Sequence, residues 1–136
     1  MNFNDCVAFA KENPLCALAT MDGDQPRVRT FYFWFADEKS LNFMTLAPKK
    51  VVAQIKKNPK VEICFYNQEK SLRVTGRGEL IVDVELAKKQ LAVVPPLPGK
   101  GPEDPIYLTL RVSKGEAFFW TMDDRLKEDS LERIRF

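Results

Sequence analysis

The sequence predicts a mainly β protein with α-helices, in which an antiparallel sheet forms a barrel. It contains about seven short runs rich in β-branched and aromatic residues, separated by turn residues at regular spacing. Most connections between these runs are too short for the helical crossover that a parallel sheet requires. The 136 residues have the length of one domain, so we expect a single domain over residues 1–136.

The first half of the chain is predicted to hold three strands and two helices. Asn4 is the expected N-cap of a helix over residues 4–12, which Pro14 ends. Asp22-Gly23 is a strong hairpin signal between the first two strands. A second helix is expected from Pro48 to Lys57, because proline suits a first helical turn and an apolar stripe follows it. The three strands are predicted at residues 15–20, 27–35 and 41–45.

The second half is predicted to hold four strands and a third helix. Gly76 and Gly78 lie inside one of these strands, and paired glycines there indicate a bulge or a barrel corner. Asp83 can cap the third helix, which is expected to reach about Val93. Residues 95–102 are rich in proline and indicate a loop. The four strands are predicted at residues 61–66, 72–82, 106–112 and 116–122.

Histidine is absent from the chain. This removes the usual general base near neutral pH, the usual metal ligand and every Ser-His or Cys-His nucleophile pair. No metal site is therefore predicted. If the protein is an enzyme, a bound organic cofactor is the expected carrier of its chemistry.

The three cysteines are odd in number and widely spaced, which favours packed, reduced thiols over disulfides. No stretch approaches the ~20 apolar residues that span a bilayer, and the N-terminus does not resemble a signal peptide. We therefore expect a cytoplasmic protein without a membrane partner. The net charge of +2 also argues against a nucleic-acid partner, although one helix is rich in lysine.

Two neighbouring segments carry cations that could bind a phosphate. Arg27 and Arg29 project from one face of a predicted strand, and a guanidinium matches a phosphate bidentately. Thr45 and the pair Lys49 and Lys50 lie where a strand meets a helix N-terminus, a position that favours an anion. The alternative is that these arginines and lysines are ordinary solvated residues.

Three consecutive aromatic residues, Phe118, Phe119 and Trp120, lie near the C-terminus. They could cover a flat ring, pack a dimer interface or belong to the core. Trp120 is retained as a candidate cofactor contact.

An ordered series of motifs over nearly the whole chain resembles one known family. The motifs are Cys16-Ala17-Leu18-Ala19-Thr20, Asp22-Gly23, Pro26-Arg27-Val28-Arg29, the run from Thr45 through Lys49-Lys50 to Glu62, Arg73-Val74-Thr75-Gly76, Asp104-Pro105-Ile106-Tyr107 and Gly115-Glu116-Ala117. This series is similar to that of the pyridoxamine 5′-phosphate oxidase-like, FMN-binding split-barrel family. It looks closest to the small bacterial branch that includes nitroimidazole-reductase-like proteins.

The resemblance implies an antiparallel split β-barrel that forms a homodimer, with FMN at the subunit interface and a small-molecule substrate. It implies phosphate contacts from Arg29 and Lys50, with Lys49 close by and Arg27 as an alternative. Further cofactor contacts are implied for Thr30, Phe31, Met44 and Thr45. Without histidine the chain lacks the family's Arg-x-His-Arg pattern for pyridoxal phosphate, which argues against pyridoxamine phosphate oxidation. The predicted function is an FMN-dependent oxidoreductase, and the alternative is a non-catalytic flavin- or haem-binding or sensor module.

Overall fold

The strands of the chain form one antiparallel sheet that closes on itself. The computed structural model describes all residues from Met1 to Phe136. The helices are α1 (Phe3–Glu12), α2 (Lys50–Lys57) and α3 (Val84–Leu91). The strands are β1 (Leu15–Asp22), β2 (Gln25–Ala36), β3 (Ser40–Leu46), β4 (Lys60–Tyr66), β5 (Lys70–Ile81), β6 (Tyr107–Thr121) and β7 (Ile134–Arg135).

The closure of the sheet confirms the predicted antiparallel barrel. The strand order is β3-β2-β1-β4-β5-β6-β7, and β3 also pairs with β6, so six strands form a closed ring. The β2–β3 contact is short, because its registered pairs run only from Phe33 and Phe43 to Ala36 and Leu41. The remainder of β2 pairs with β1 alone, and the end of β3 pairs with β6 alone. The barrel is therefore split between β2 and β3.

Aromatic side chains fill the interior next to this split. Phe31, Phe33, Phe43 and Phe65 are buried, and their ring centroids lie 5.8 to 6.5 Å apart in the contacting pairs. Most of these pairs are edge-to-face, the arrangement that ring quadrupoles favour. The packed rings give the split a rigid, dry inner wall.

Helix α2 covers one end of the barrel with the apolar stripe that the sequence predicts. Val51, Val52 and Ile55 are buried in the core. A Cβ added at Gly78 would lie 3.2 Å from Ile55 Cγ2, so a glycine on β5 lets the helix approach the sheet closely. The helix begins at Lys50, with Lys49 as its N-cap, and not at Pro48 as predicted. The burial of the stripe thus packs α2 against β1 and β5.

The prediction of two separate strands at 106–112 and 116–122 is wrong. One strand, β6, runs from Tyr107 to Thr121 and bends at Lys114, which has a φ of 55°. The register of β5 and β6 shifts between Thr75 and Arg77, where the sequence predicts a bulge or a barrel corner. Gly76 faces both Lys114 and Gly115 there, so the extra residue belongs to β6. The short strand β7, which pairs with Glu116 and Ala117, is not predicted by the sequence pattern.

The N-cap of α1 is Asn2, so the predicted N-cap, Asn4, is wrong. The Asn2 side chain accepts from the Asp5 N–H at 3.2 Å, and the Asp5 carboxylate accepts from the Asn2 N–H at 2.7 Å. This reciprocal pair is a capping box, which satisfies two backbone donors at the helix start. Asn4 lies inside the helix and is exposed.

We expect Asn2→Ala to lower the free energy of unfolding by about 1 kcal/mol, because it removes the acceptor of the capping box. Asn4→Ala is the matched control and should leave stability within about 0.5 kcal/mol of the original. Urea denaturation of both variants measures the difference. Equal losses would show that α1 is capped in another way.

The cysteines are free, and two of them are fully buried. Burial raises the pKa of the Cys16 thiol to about 12 and that of Cys6 to about 11, from 9.0. Cys64 is half-buried, and burial raises its pKa as well. The buried thiols are therefore protonated and unreactive near neutral pH.

Stability should fall as pH rises above about 9, because the unfolded chain then releases thiol protons that the folded state retains. Each buried thiol lowers the free energy of unfolding by up to roughly 1.4 kcal/mol per pH unit, until the pH reaches the pKa of that thiol in the folded state. Urea unfolding at pH 8.5 and pH 10 measures the loss. Cys16→Ala should show a smaller loss over the same range, and an unchanged loss would contradict the assignment to Cys16.

None of the helices is long and apolar enough to cross a lipid bilayer.

Candidate functional site

The split exposes backbone hydrogen-bonding groups on the free edge of β2. The Phe33 N–H donates to the Pro14 carbonyl at 2.8 Å, on the β1 side. In an antiparallel sheet, successive residues of a strand direct their N–H and C=O groups to opposite edges. Phe33 faces β1, so Val28 and Thr30, which are an odd number of residues away, face the other edge. No strand pairs with that edge at these positions. The split therefore offers backbone donors and acceptors to a ligand.

Arg29 is a partly buried cation without a counter-charge. Its guanidinium donates to Gln54 Oε1 at 2.7 Å and to Thr20 Oγ1 at 2.8 Å, with longer bonds to two backbone carbonyls. All four acceptors are neutral, and no carboxylate forms an ion pair with it. Burial, followed by the charge of Arg27, lowers the pKa of Arg29. An anion bound here would supply the missing charge.

The start of α2 adds further donors near Arg29. The N-cap residue, Lys49, makes no side-chain capping bond, and the backbone N–H groups of Lys50 and Val51 donate to no acceptor. The helix dipole favours a negative charge at this end. Lys50 lies one turn before Gln54, on the helix face that contacts Arg29. Both residues line a cleft of about 240 Å³ between α2 and the β1–β2 hairpin.

Thr45 lies two residues beyond the last residue of β3 that pairs with β2. Its side chain is 2% exposed, and its Oγ1 has no hydrogen-bond partner. A buried hydroxyl without a partner is unfavourable by about 1–3 kcal/mol. The polar groups of a ligand held in the split could satisfy it.

The structure brings Arg29, Thr30, Thr45 and Lys50 to the split and its α2 end. Met44 is half-buried on the same stretch of β3. The Phe31 ring is buried in the core against Phe43, so only its backbone lies near the split edge. The roles of these residues in binding a cofactor stay predictions.

Two other candidates stand apart from this cluster. Arg27 is exposed, and its Nε donates to Asp22 Oδ2 at 3.2 Å, so its charge is already compensated. Lys49 is exposed and lies outside the cleft that Lys50 lines. The geometry therefore favours Arg29 over Arg27, and Lys50 over Lys49, as neighbours of one anion.

Trp120 is not brought to the split of its own chain. It pairs with Ser71 near the end of β6, whereas the part of β6 beside β3 ends at Ser113. It projects from the outer face of the sheet, because the adjacent Phe119 packs against the core. Val28 and Tyr32 lie on the same outer face, where they are 68% and 66% exposed.

Gln54 and Thr20 are site residues that the sequence analysis missed. Both are buried, and the Thr20 hydroxyl lies 2.6 Å from Gln54 Oε1. Together they hold the Arg29 guanidinium in place. Gln54 follows Lys50 by four residues, and this spacing could have identified a polar helix face beside the predicted phosphate contacts.

Comparison with known proteins identifies the family. The family model described as pyridoxamine 5′-phosphate oxidase matches residues 4–119. A NimC/NimA family protein from Clostridium acetobutylicum is 32% identical, with a TM-score of 0.77 over 96% of this chain and 91% of that chain. No curated protein matches the chain.

Two further solved structures share the fold at lower identity. General Stress Protein 26 from Bacillus anthracis str. Sterne is 20% identical, with a TM-score of 0.75 and full coverage of both chains (100% and 100%). A pyridoxamine 5′-phosphate oxidase-related, FMN-binding protein from Nostoc punctiforme is 21% identical, with a TM-score of 0.68 over 96% of this chain and 86% of that chain. With the family model matching most of its length, the chain belongs to the pyridoxamine 5′-phosphate oxidase family of split barrels.

Proposed function

We propose that the chain is a flavoprotein that binds FMN in the split, with the phosphate between Arg29 and the start of α2. The observation that carries this proposal is the partly buried guanidinium of Arg29, which has only neutral partners. A phosphate supplies the missing charge and accepts bidentate bonds from guanidinium. The free N–H groups of Lys50 and Val51 add donors for the same anion. The Nostoc punctiforme relative, which is described as FMN-binding, has the same fold.

The rest of the split suits the ring system of a flavin. Val28 and Thr30 offer backbone N–H and C=O groups that can orient its polar edge, and the Thr45 hydroxyl offers another partner. The buried rings of Phe31 and Phe43 fill the barrel interior next to the split and exclude water from that side. When bound, FMN would supply the electron transfer, which protein side chains do not themselves provide. We infer an oxidoreductase that acts on a small molecule.

A second copy of the chain is proposed to cover the end of the outer face where β1 begins. Leu15, Tyr32 and Tyr66 are each more than half exposed there, and Leu15 pairs directly with Tyr32. Exposed apolar surface of this kind marks interaction sites. Trp120 projects from the same face, so in a homodimer it could contact the coenzyme bound by the other subunit.

The absorbance spectrum of the purified protein tests the proposed function. We expect flavin bands in the near-ultraviolet and blue, and release of FMN rather than FAD on denaturation, as identified by chromatography. FMN should bind more tightly than riboflavin, because only FMN carries the phosphate. Reduction of the bound flavin by a nicotinamide nucleotide, with turnover, would support the oxidoreductase over a passive flavin-binding module. Equal affinity for FMN and riboflavin, or no flavin binding, would refute the proposed site.

A further inference from the structure

We propose that a cavity on the outer side of the barrel is a second anion site, which binds the phosphate group of a small molecule other than the flavin. The cavity has a volume of about 440 Å³ and lies where β4, β5 and β6 meet the β1–β2 hairpin. Three basic residues line it: Lys60, Arg77 and Lys114. This volume lies within the range of small-molecule pockets.

The strand register places two of these cations directly opposite each other. Lys60 on β4 is the registered partner of Arg77 on β5, so their side chains leave the same face of the sheet. Like charges in this arrangement repel each other, which destabilises the strand pair. Arg77 is in turn the partner of Ser113, the residue before Lys114. Three cations therefore converge on one cavity.

None of the three cations has a carboxylate partner. The nine ion pairs of the structure do not include Lys60, Arg77 or Lys114. Glu62 is the single acidic residue that lines the cavity; its carboxylate pairs with Arg73 at 3.0 Å, which it shares with Glu128, so one carboxylate faces three cations. The cavity therefore keeps an uncompensated positive charge.

The backbone beside the cavity is held in an unusual conformation. Lys114 has a φ of 55°, the single non-glycine residue with a positive φ. Such strain persists only where the surrounding structure imposes it, and it is common at ligand sites. Gly115, the next residue, also lines the cavity, and its close approach to Thr75 holds the bend.

The chemistry of the walls indicates the class of ligand. Cations from three strand segments suit a group with more than one negative charge, and a phosphate is such a group. Ala19, Met21 and Pro26 provide apolar wall that could contact an organic body. Inorganic phosphate and a phosphorylated organic molecule share this chemistry, and the experiment separates them.

The cavity differs from the proposed flavin phosphate site. Arg29, Lys50 and Gln54 do not line it. Thr20 belongs to both, because it lines the cavity and its hydroxyl accepts from Arg29. Because the cations of the two sites differ, saturating the protein with FMN fills the flavin site and leaves the cavity as the remaining site for an added anion.

Calorimetric titration of the FMN-saturated protein with inorganic phosphate, pyrophosphate or ADP tests the proposal. We expect saturable binding of at least one of these, with one site per chain. The double variant Lys60→Gln with Arg77→Gln should weaken that binding roughly tenfold or more. Tighter binding of ADP than of pyrophosphate would indicate that the apolar wall contacts an organic body. The ligand should also raise the melting temperature of the original protein more than that of the double variant.

The matched control removes the same charge elsewhere, through Lys11→Gln with Lys89→Gln, two exposed residues on α1 and α3. The proposal is overturned if none of the three anions binds, or if the control pair weakens binding as much as the cavity pair does. Should the chain not bind FMN, the flavin-free protein is titrated instead. Binding that is lost in the cavity variant but kept in Arg29→Ala would still support the second site, whereas loss only in Arg29→Ala would overturn it.

Discussion

Replacing Arg29 with alanine is expected to weaken FMN binding by roughly 10- to 150-fold, while riboflavin binding stays nearly unchanged. A hydrogen bond to a charged group contributes about 1.5–3 kcal/mol, and each 1.4 kcal/mol corresponds to about tenfold in affinity. Riboflavin lacks the phosphate, so it loses no partner when the guanidinium is removed. Fluorescence titration of both ligands with the original protein and the variant measures the two dissociation constants.

The matched control for this experiment is Arg27→Ala, which removes an arginine two residues away on the same strand. Arg27 is exposed and compensated by Asp22, so its loss should change FMN affinity by no more than a few-fold. If Arg29→Ala weakens FMN and riboflavin in equal proportion, Arg29 does not bind the phosphate. If Arg27→Ala has the larger effect, the anion lies on the hairpin and not beside α2.

Arg27, Arg29, Lys49 and Lys50 could be proposed as candidates from the sequence because charge and position along an element are local properties. Two arginines on one strand face and lysines at a helix start indicate an anion without knowledge of the fold. The resemblance to a known family favours Arg29 over Arg27, and the structure adds a physical reason, because only Arg27 has a carboxylate partner. Asp22 is five residues from Arg27, and only the hairpin geometry brings them together.

The split itself could not be derived from the residues alone. It depends on where the pairing of β2 with β3 stops, at Phe33 and Phe43, and both strands continue beyond that point with strand-like sequence. The contacts of Arg29 with Thr20 and Gln54 also depend on the tertiary fold, because they join residues that are 9 and 25 positions apart in the sequence. The resemblance to a known family supplied the split barrel, and the family match later confirmed it.

Two of the errors in the element assignments have local causes. Asn2 and Asp5 have the spacing of a capping box, but asparagine is a favourable N-cap at either position, so residue type alone does not separate Asn2 from Asn4. Ser113-Lys114-Gly115 has turn-forming composition, which predicts a break between two strands, and Lys114 does adopt a positive φ. The strand instead continues through the bend, because both halves of β6 find partners, β3 on one side and β5 along most of its length.

Gly115→Ala is expected to lower the free energy of unfolding by about 3 kcal/mol or more. A Cβ at this position would lie 1.7 Å from the Thr75 carbonyl oxygen and 2.7 Å from Gly76 Cα, so the backbone of β5 or β6 must move. The clash falls where the register of the two strands shifts and the barrel turns its corner. Urea denaturation measures the loss.

Gly78→Ala is the matched control for Gly115→Ala, because it adds the same methyl group to the neighbouring strand. Its Cβ would lie 3.1 Å from Leu110 Cδ1 and 3.2 Å from Ile55 Cγ2, so its nearest neighbours are side-chain methyl groups, which need to give way by only a few tenths of an ångström. We therefore expect a smaller loss, about 1 kcal/mol. If Gly115→Ala were no more destabilising than Gly78→Ala, the bend in β6 would not depend on the close approach of the two backbones. The bend would then have to be held by the strand pairings on either side of it, from β3 to Ser113 and from β7 at Glu116.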